Sequence, residues 1–146
     1  MAQTPPFDRP GLRRLADGTY EAYYVARIFS FAPATLRVPV NKKIVFYVTS
    51  ADVVHGFYIA KTDVNMMAEP GWVNTQEHIF YKKGTYLLIC HEYCGIGHQD
   101  MFAKVVTCIF IPMKNGGCHS GWSCSWRFSS RSAWRHLRTI LRRRKA

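Results

Sequence analysis

Between residues 19 and 111 the apolar positions come in short runs broken by turn-forming residues, and none of the runs sustains a helical period. The run TYEAYYVARIFSF, beginning at Thr19, is dense in aromatic and β-branched residues and predicts a strand. APATLRVPVNKK reads as a connector with a short strand at 36–38, ended by Pro39, which cannot donate to a ladder. IVFYVTS (44–50) and VVHGFYIAK (53–61) predict two more strands, separated by the turn-like SAD. After a turn at Pro70 and Gly71, WVNTQEHIF (72–80) alternates apolar and polar residues, as a half-exposed strand does. YKKGTY predicts a tight turn, TYLLIC (85–90) a buried strand and MFAKVVTCIFI (101–111) the last strand. Short strands at this spacing predict an all-β sandwich without internal repeats. Residues 1–18, Pro-rich and polar, read as an extended lead-in.

Charge divides the chain differently. Residues 1–106 carry 11 Lys/Arg and 9 Asp/Glu, a net of +2, whereas residues 107–146 carry 9 Lys/Arg and no acid, a net of +9. The body is therefore nearly neutral, and no nucleic-acid partner is expected of it. Residues 112–146 form a basic tail rich in Arg, Ser and Trp, expected to be irregular or briefly helical along Trp134, Leu137, Ile140 and Leu141. The abrupt loss of acids suggests a foreign or frame-altered continuation. A rival reading gives the tail an affinity for polyanions or anionic membrane through its arginines at 142–144. No stretch approaches the roughly 20 apolar residues that cross a bilayer, and residues 1–18, which lack an apolar core, are not expected to act as a secretory signal.

The chemistry concentrates in CHEYCGIGHQDM, residues 90–101. On the strand layout Cys90 ends one strand, Met101 begins the next, and the connecting loop carries Cys94 and His98. Thiolate and thioether are soft ligands, and imidazole suits copper, zinc, iron and nickel, so the set points to a metal. A mononuclear blue-copper site would need one Cys, whereas two thiolates in one loop can bridge two coppers. His55, in DVVHGFYI, is the candidate second imidazole. A Cys90–Cys94 disulfide would leave His55, His98 and Met101 unexplained. A zinc site of Cys90, Cys94, His98 and His55 would give Met101 no role.

CHEYCGIGHQDMF with the upstream DVVHGF resembles the binuclear copper A motif of cytochrome c oxidase subunit II. VNMMAEPGWVNT and KKGTYLLIC resemble its B-type branch, and the likeness spans about residues 5–106. It implies a cupredoxin-like Greek-key β-sandwich over 19–111. It further implies two copper ions bridged by Cys90 and Cys94, with His55 and His98 as terminal ligands. Met101 and the main-chain carbonyl of Glu92 would be weak ligands, and the Glu92 side chain is a candidate magnesium ligand. The implied role is an electron relay from cytochrome c to haem in oxidase subunit I, on the outer face of the membrane. That makes the chain a subunit of an oxidoreductase with no substrate chemistry of its own, held at the membrane through the complex.

Phe29 and Phe31, with Phe57 as a third, are candidates for the surface that receives the electron. His91 and His78 are expected to be non-ligands, His78 at the surface. Cys108, Cys118 and Cys124 match no part of the motif. Two other readings use the same ligands: a soluble copper carrier, and the copper domain of nitrous-oxide reductase.

Overall fold

A computed structural model describes residues 2–109; the basic tail, with Cys118, Cys124 and the expected helical stripe, lies outside them. Among the described residues ten strands form two sheets, the all-β sandwich that the sequence predicts. The first sheet runs β1 (Gly11–Arg14), β2 (Tyr20–Arg27), β5 (Lys43–Ser50) and β8 (Asn74–Ile79), with β3 (Ser30–Ala32) also paired to β2. The second runs β4 (Thr35–Pro39), β10 (Phe102–Cys108), β9 (Gly84–Ile89), β6 (His55–Ile59) and β7 (Asn65–Ala68). The chain changes sheet at β3–β4, β4–β5, β5–β6, β7–β8 and β8–β9, so loops from both sheets gather at each end of the sandwich. β2 pairs parallel to β5 and β4 parallel to β10; the remaining ladders are antiparallel.

Three features differ from the sequence expectation. Gly11–Arg14 is a strand, paired with the first half of β2, and Phe7 is buried edge-on against Tyr23 with ring centroids 5.5 Å apart, so the lead-in helps build the sheet. TYEAYYVARIFSF is two antiparallel strands, β2 and β3, turning at residues 28 and 29. The strand expected at 53–61 shortens to β6, and Asn65–Ala68, not foreseen, pairs beside it as β7.

Alternation decides what enters the core. On β5, Ile44, Phe46 and Val48 are fully buried while Lys43 is exposed. The aromatic centre is Phe57, whose ring lies 5.1 Å from Tyr24, 5.8 Å from Phe31 and 6.2 Å from Phe46. Such rings bury large apolar areas and gain further from edge-to-face contact. The Tyr24 hydroxyl is buried with no hydrogen-bond partner among the described residues. An unpaired buried hydroxyl costs about 1–3 kcal/mol. Tyr24→Phe is therefore expected to stabilise the metal-free chain by about that amount in urea denaturation. A loss of stability would show that the hydroxyl is satisfied in solution.

Candidate metal centre

The ladder β9–β10 ends at the pair Ile89–Phe102, and the next residues, Cys90 and Met101, close the base of a loop. The Cys90 N–H donates to the Met101 carbonyl at 3.1 Å. Inside the loop a 3-10 turn, His98–Asp100, is tightened by bonds from His98 N–H to the Gly95 carbonyl and from Met101 N–H to the His98 carbonyl, each 3.1 Å. Gly95 has φ +133°, a backbone conformation that side chains disfavour. β6 runs beside β9 through Tyr58–Ile89, so its first residue, His55, reaches the loop base. Thirty-five residues of sequence separation are thus bridged by one strand pairing.

Cys90 Sγ and Cys94 Sγ lie 3.8 Å apart as free thiols, nearly twice the roughly 2.05 Å of a disulfide. Each sulfur has its own imidazole: His55 Nδ1 is 4.0 Å from Cys90 Sγ, and His98 Nδ1 is 3.7 Å from Cys94 Sγ. Each also has its own weak donor. The Glu92 carbonyl is 3.2 Å from Cys90 Sγ, and Met101 Sδ is 3.8 Å from Cys94 Sγ. The ligand atoms of His55, Cys90 and Cys94 all fall within 4.8 Å of one another. His98 and Met101 join them through Cys94.

The cluster is sheltered on its inner side. His55 is fully buried, Met101 and Cys90 belong to the main apolar core, and Cys94 is half-buried. Burial, then the hydrogen bond and charge of Cys90, push the Cys94 thiol up to about 11. In the metal-free chain that thiol keeps its proton at neutral pH, and ligation must release it. His55 Nε2 lies 2.8 Å from Asp52 Oδ1. Burial raises the Asp52 carboxyl, but hydrogen bonds from His55 and from the N–H groups of Ile28 and Val53 outweigh it and hold the group below its ordinary value. A carboxylate accepts only, so Nε2 carries the proton and the Nδ1 lone pair faces the sulfurs.

The remaining sequence candidates separate by burial. Phe29 is exposed, and its ring lies against the loop: a Cβ on Gly97 would come within 2.6 Å of it, and one on Gly95 within 3.0 Å. Phe31 and Phe57 are instead core residues, 3% and 0% exposed, so neither can present a face to a docking protein. The Glu92 carboxylate is half exposed and turned toward His91, 3.6 Å from its Nδ1. His91 lies outside the cluster, packed so tightly on Gly56 that a Cβ there would sit 2.6 Å from its ring. His78 is more buried than expected, paired with Asp63 and edge-on to Phe80 at 4.6 Å. Cys108 ends β10, at the opposite end of that strand from the cluster.

The sequence profile of the family described as "Cytochrome C oxidase subunit II, periplasmic domain" matches residues 27–108, more than half of the chain. The chain belongs to this family. Cytochrome c oxidase subunit 2 of Thermus thermophilus is 42% identical over 87 residues, covering 60% of this chain and 64% of that protein. A second, longer Thermus thermophilus subunit 2 has the same identity, with 52% of its length covered. The chain thus spans between half and two thirds of these relatives. Among solved structures, a chain of a heme-copper terminal oxidase dimer superposes with a TM-score of 0.62 at 36% identity, covering 67% of this chain and 70% of that one. The periplasmic domain of subunit II from Bradyrhizobium japonicum shares the fold, with a TM-score of 0.56 at 23% identity, covering 61% of this chain and 83% of that one.

A Cys/His cluster at this place in a cytochrome c oxidase subunit II domain fits a copper site. Among the described residues no helix is long and apolar enough to cross a membrane. Sequence reasoning missed two contributors to the site. Asp52 looked like a turn former in SAD; its position three residues before His55 was the available signal. The exposed apolar rim of Ile28, Val53, Val54, Tyr93 and Ile96 is spread over three loops and carries no local pattern.

Proposed function

We propose that this domain is the electron relay of an oxidase subunit II, holding two copper ions between Cys90 and Cys94. In this reading it accepts electrons from a cytochrome c outside the membrane and delivers them to haem in subunit I. The observation that carries it is the paired donor set: two sulfurs 3.8 Å apart, each with its own imidazole and its own weak donor. A single tetrahedral ion has no use for six donors, and soft sulfur with imidazole favours copper over harder cations.

When bound, a pair of coppers sharing two thiolates supplies one-electron transfer with the charge change spread over both ions. The chain's own residues do the rest. Strands β6, β9 and β10 fix both ends of the donor set, which limits movement of the ligands. Phe57, Phe31 and Leu88 exclude water from the core side. On the outer side the apolar rim, with Phe29 against the loop, provides a surface on which a donor protein can sit close to the sulfurs.

The relay is tested by mixing the copper-loaded chain with reduced cytochrome c in stopped flow. Fast oxidation of the cytochrome, with one electron taken up per chain, is expected. Phe29→Ala should slow this reaction when the rate is compared per chain loaded with copper. If the loaded chain took no electron from any reduced cytochrome c, the relay reading would fail.

A further inference from the structure

Asp52 sits at the junction of three segments. Its Oδ1 faces His55 Nε2 at 2.8 Å and the Val53 N–H at 2.7 Å, and lies 3.3 Å from the Ser50 hydroxyl. Its Oδ2 accepts the N–H of Ile28 at 2.7 Å, across 24 residues of sequence. Ile28 precedes Phe29, whose ring rests on the backbone of Gly95 and Gly97 between Cys94 and His98. One carboxylate therefore touches the buried imidazole at the start of β6 and the exposed turn that packs on the 90–101 loop.

We propose that Asp52 is a positioning residue that clamps the exposed turn at residues 28 and 29 to the His55 ligand through its two carboxylate oxygens. The inference rests on the reading of His55 as a metal ligand, but the clamp itself exists in the metal-free chain. The two oxygens divide the work. Oδ1 holds the proton of His55 on Nε2 and so leaves Nδ1 free toward Cys90. Oδ2 fixes the turn and, through Phe29, the outer wall of the 90–101 loop. A contact made at the rim is thereby mechanically tied to the orientation of a buried donor, with no other group between them.

Asparagine has one acceptor oxygen where aspartate has two, and its amide nitrogen can only donate. Asp52→Asn can therefore keep the Nε2–H form of His55 or the Ile28 hydrogen bond, but not both. Alanine satisfies neither. Two readouts on the metal-free chain separate the partnerships: nitrogen chemical shifts of the His55 ring, which report which nitrogen is protonated, and hydrogen exchange of the Ile28 amide.

In the wild type, His55 is expected as the Nε2–H form with a protected Ile28 amide. Asp52→Ala is expected to give a mixture of His55 forms and fast Ile28 exchange together, with copper affinity lowered about 10–100-fold. Asp52→Asn, the variant more certain to fold, is expected to lose one of the two signatures. Either readout unchanged in Asp52→Ala, or both unchanged in Asp52→Asn, would overturn the clamp. Because these shifts need no metal, a wild-type chain that failed to bind two coppers would sink the relay reading and leave the clamp to its own test.

Discussion

Cys94→Ser is expected to leave the sandwich folded and to abolish the proposed two-copper centre. Cys94 Sγ is the hub of the donor set, within 3.8 Å of Cys90 Sγ, His98 Nδ1 and Met101 Sδ. Serine is a harder donor with a shorter bond from Cβ, and it cannot supply the thiolate that ties the His98 half of the site to the His55 half. The fold should survive, because Cys94 is only half-buried and lies in a loop outside the strands. Metal analysis of the loaded variant should give at most one copper per chain, with the visible bands of the wild type gone. Met101→Leu is the contrasting case. It replaces a buried weak donor with a side chain of similar volume, so both coppers should remain and the reduction potential should shift. Two retained coppers and an unchanged spectrum in Cys94→Ser would contradict the donor assignment.

Phe57→Ala is expected to cost about 3–5 kcal/mol, the usual range for deleting a buried phenyl group. The ring is fully buried and meets Tyr24, Phe31 and Phe46 at once, and it lies two residues beyond His55 on the same face of β6. Equilibrium denaturation of the metal-free chain reads the loss directly. Domains of this size have only about 5–15 kcal/mol of stability, so copper uptake should fall as well. A cost below about 2 kcal/mol would show that the core closes around the vacancy, and would weaken the case for a rigid inner wall behind the ligands.

The sequence disclosed the long strands because their residues alternate or are dense in aromatic and β-branched types, and it hid β1 and β7 because four residues show neither. GLRR and NMMA carry no period; β1 and β7 exist because β2 and β6 offer them a ladder. The turn at 28 and 29 was invisible because hydrophobic residues occupy it. That concealment also blurred Phe29 with Phe31, one at the rim and one in the core. The loop donors Cys90, Cys94, His98 and Met101 could be grouped from spacing, since they are local. His55 entered as the second imidazole that a copper pair would require, and Asp52, three residues before it, was passed over as a turn former until the fold brought its carboxylate to the imidazole.

The central claim, a copper pair shared by two sulfurs, meets its most direct test in electron paramagnetic resonance of the copper-loaded, oxidised chain. One unpaired electron spread equally over two copper nuclei is expected, seen as hyperfine splitting from both, together with two coppers per chain by metal analysis. Splitting from a single copper nucleus would contradict it.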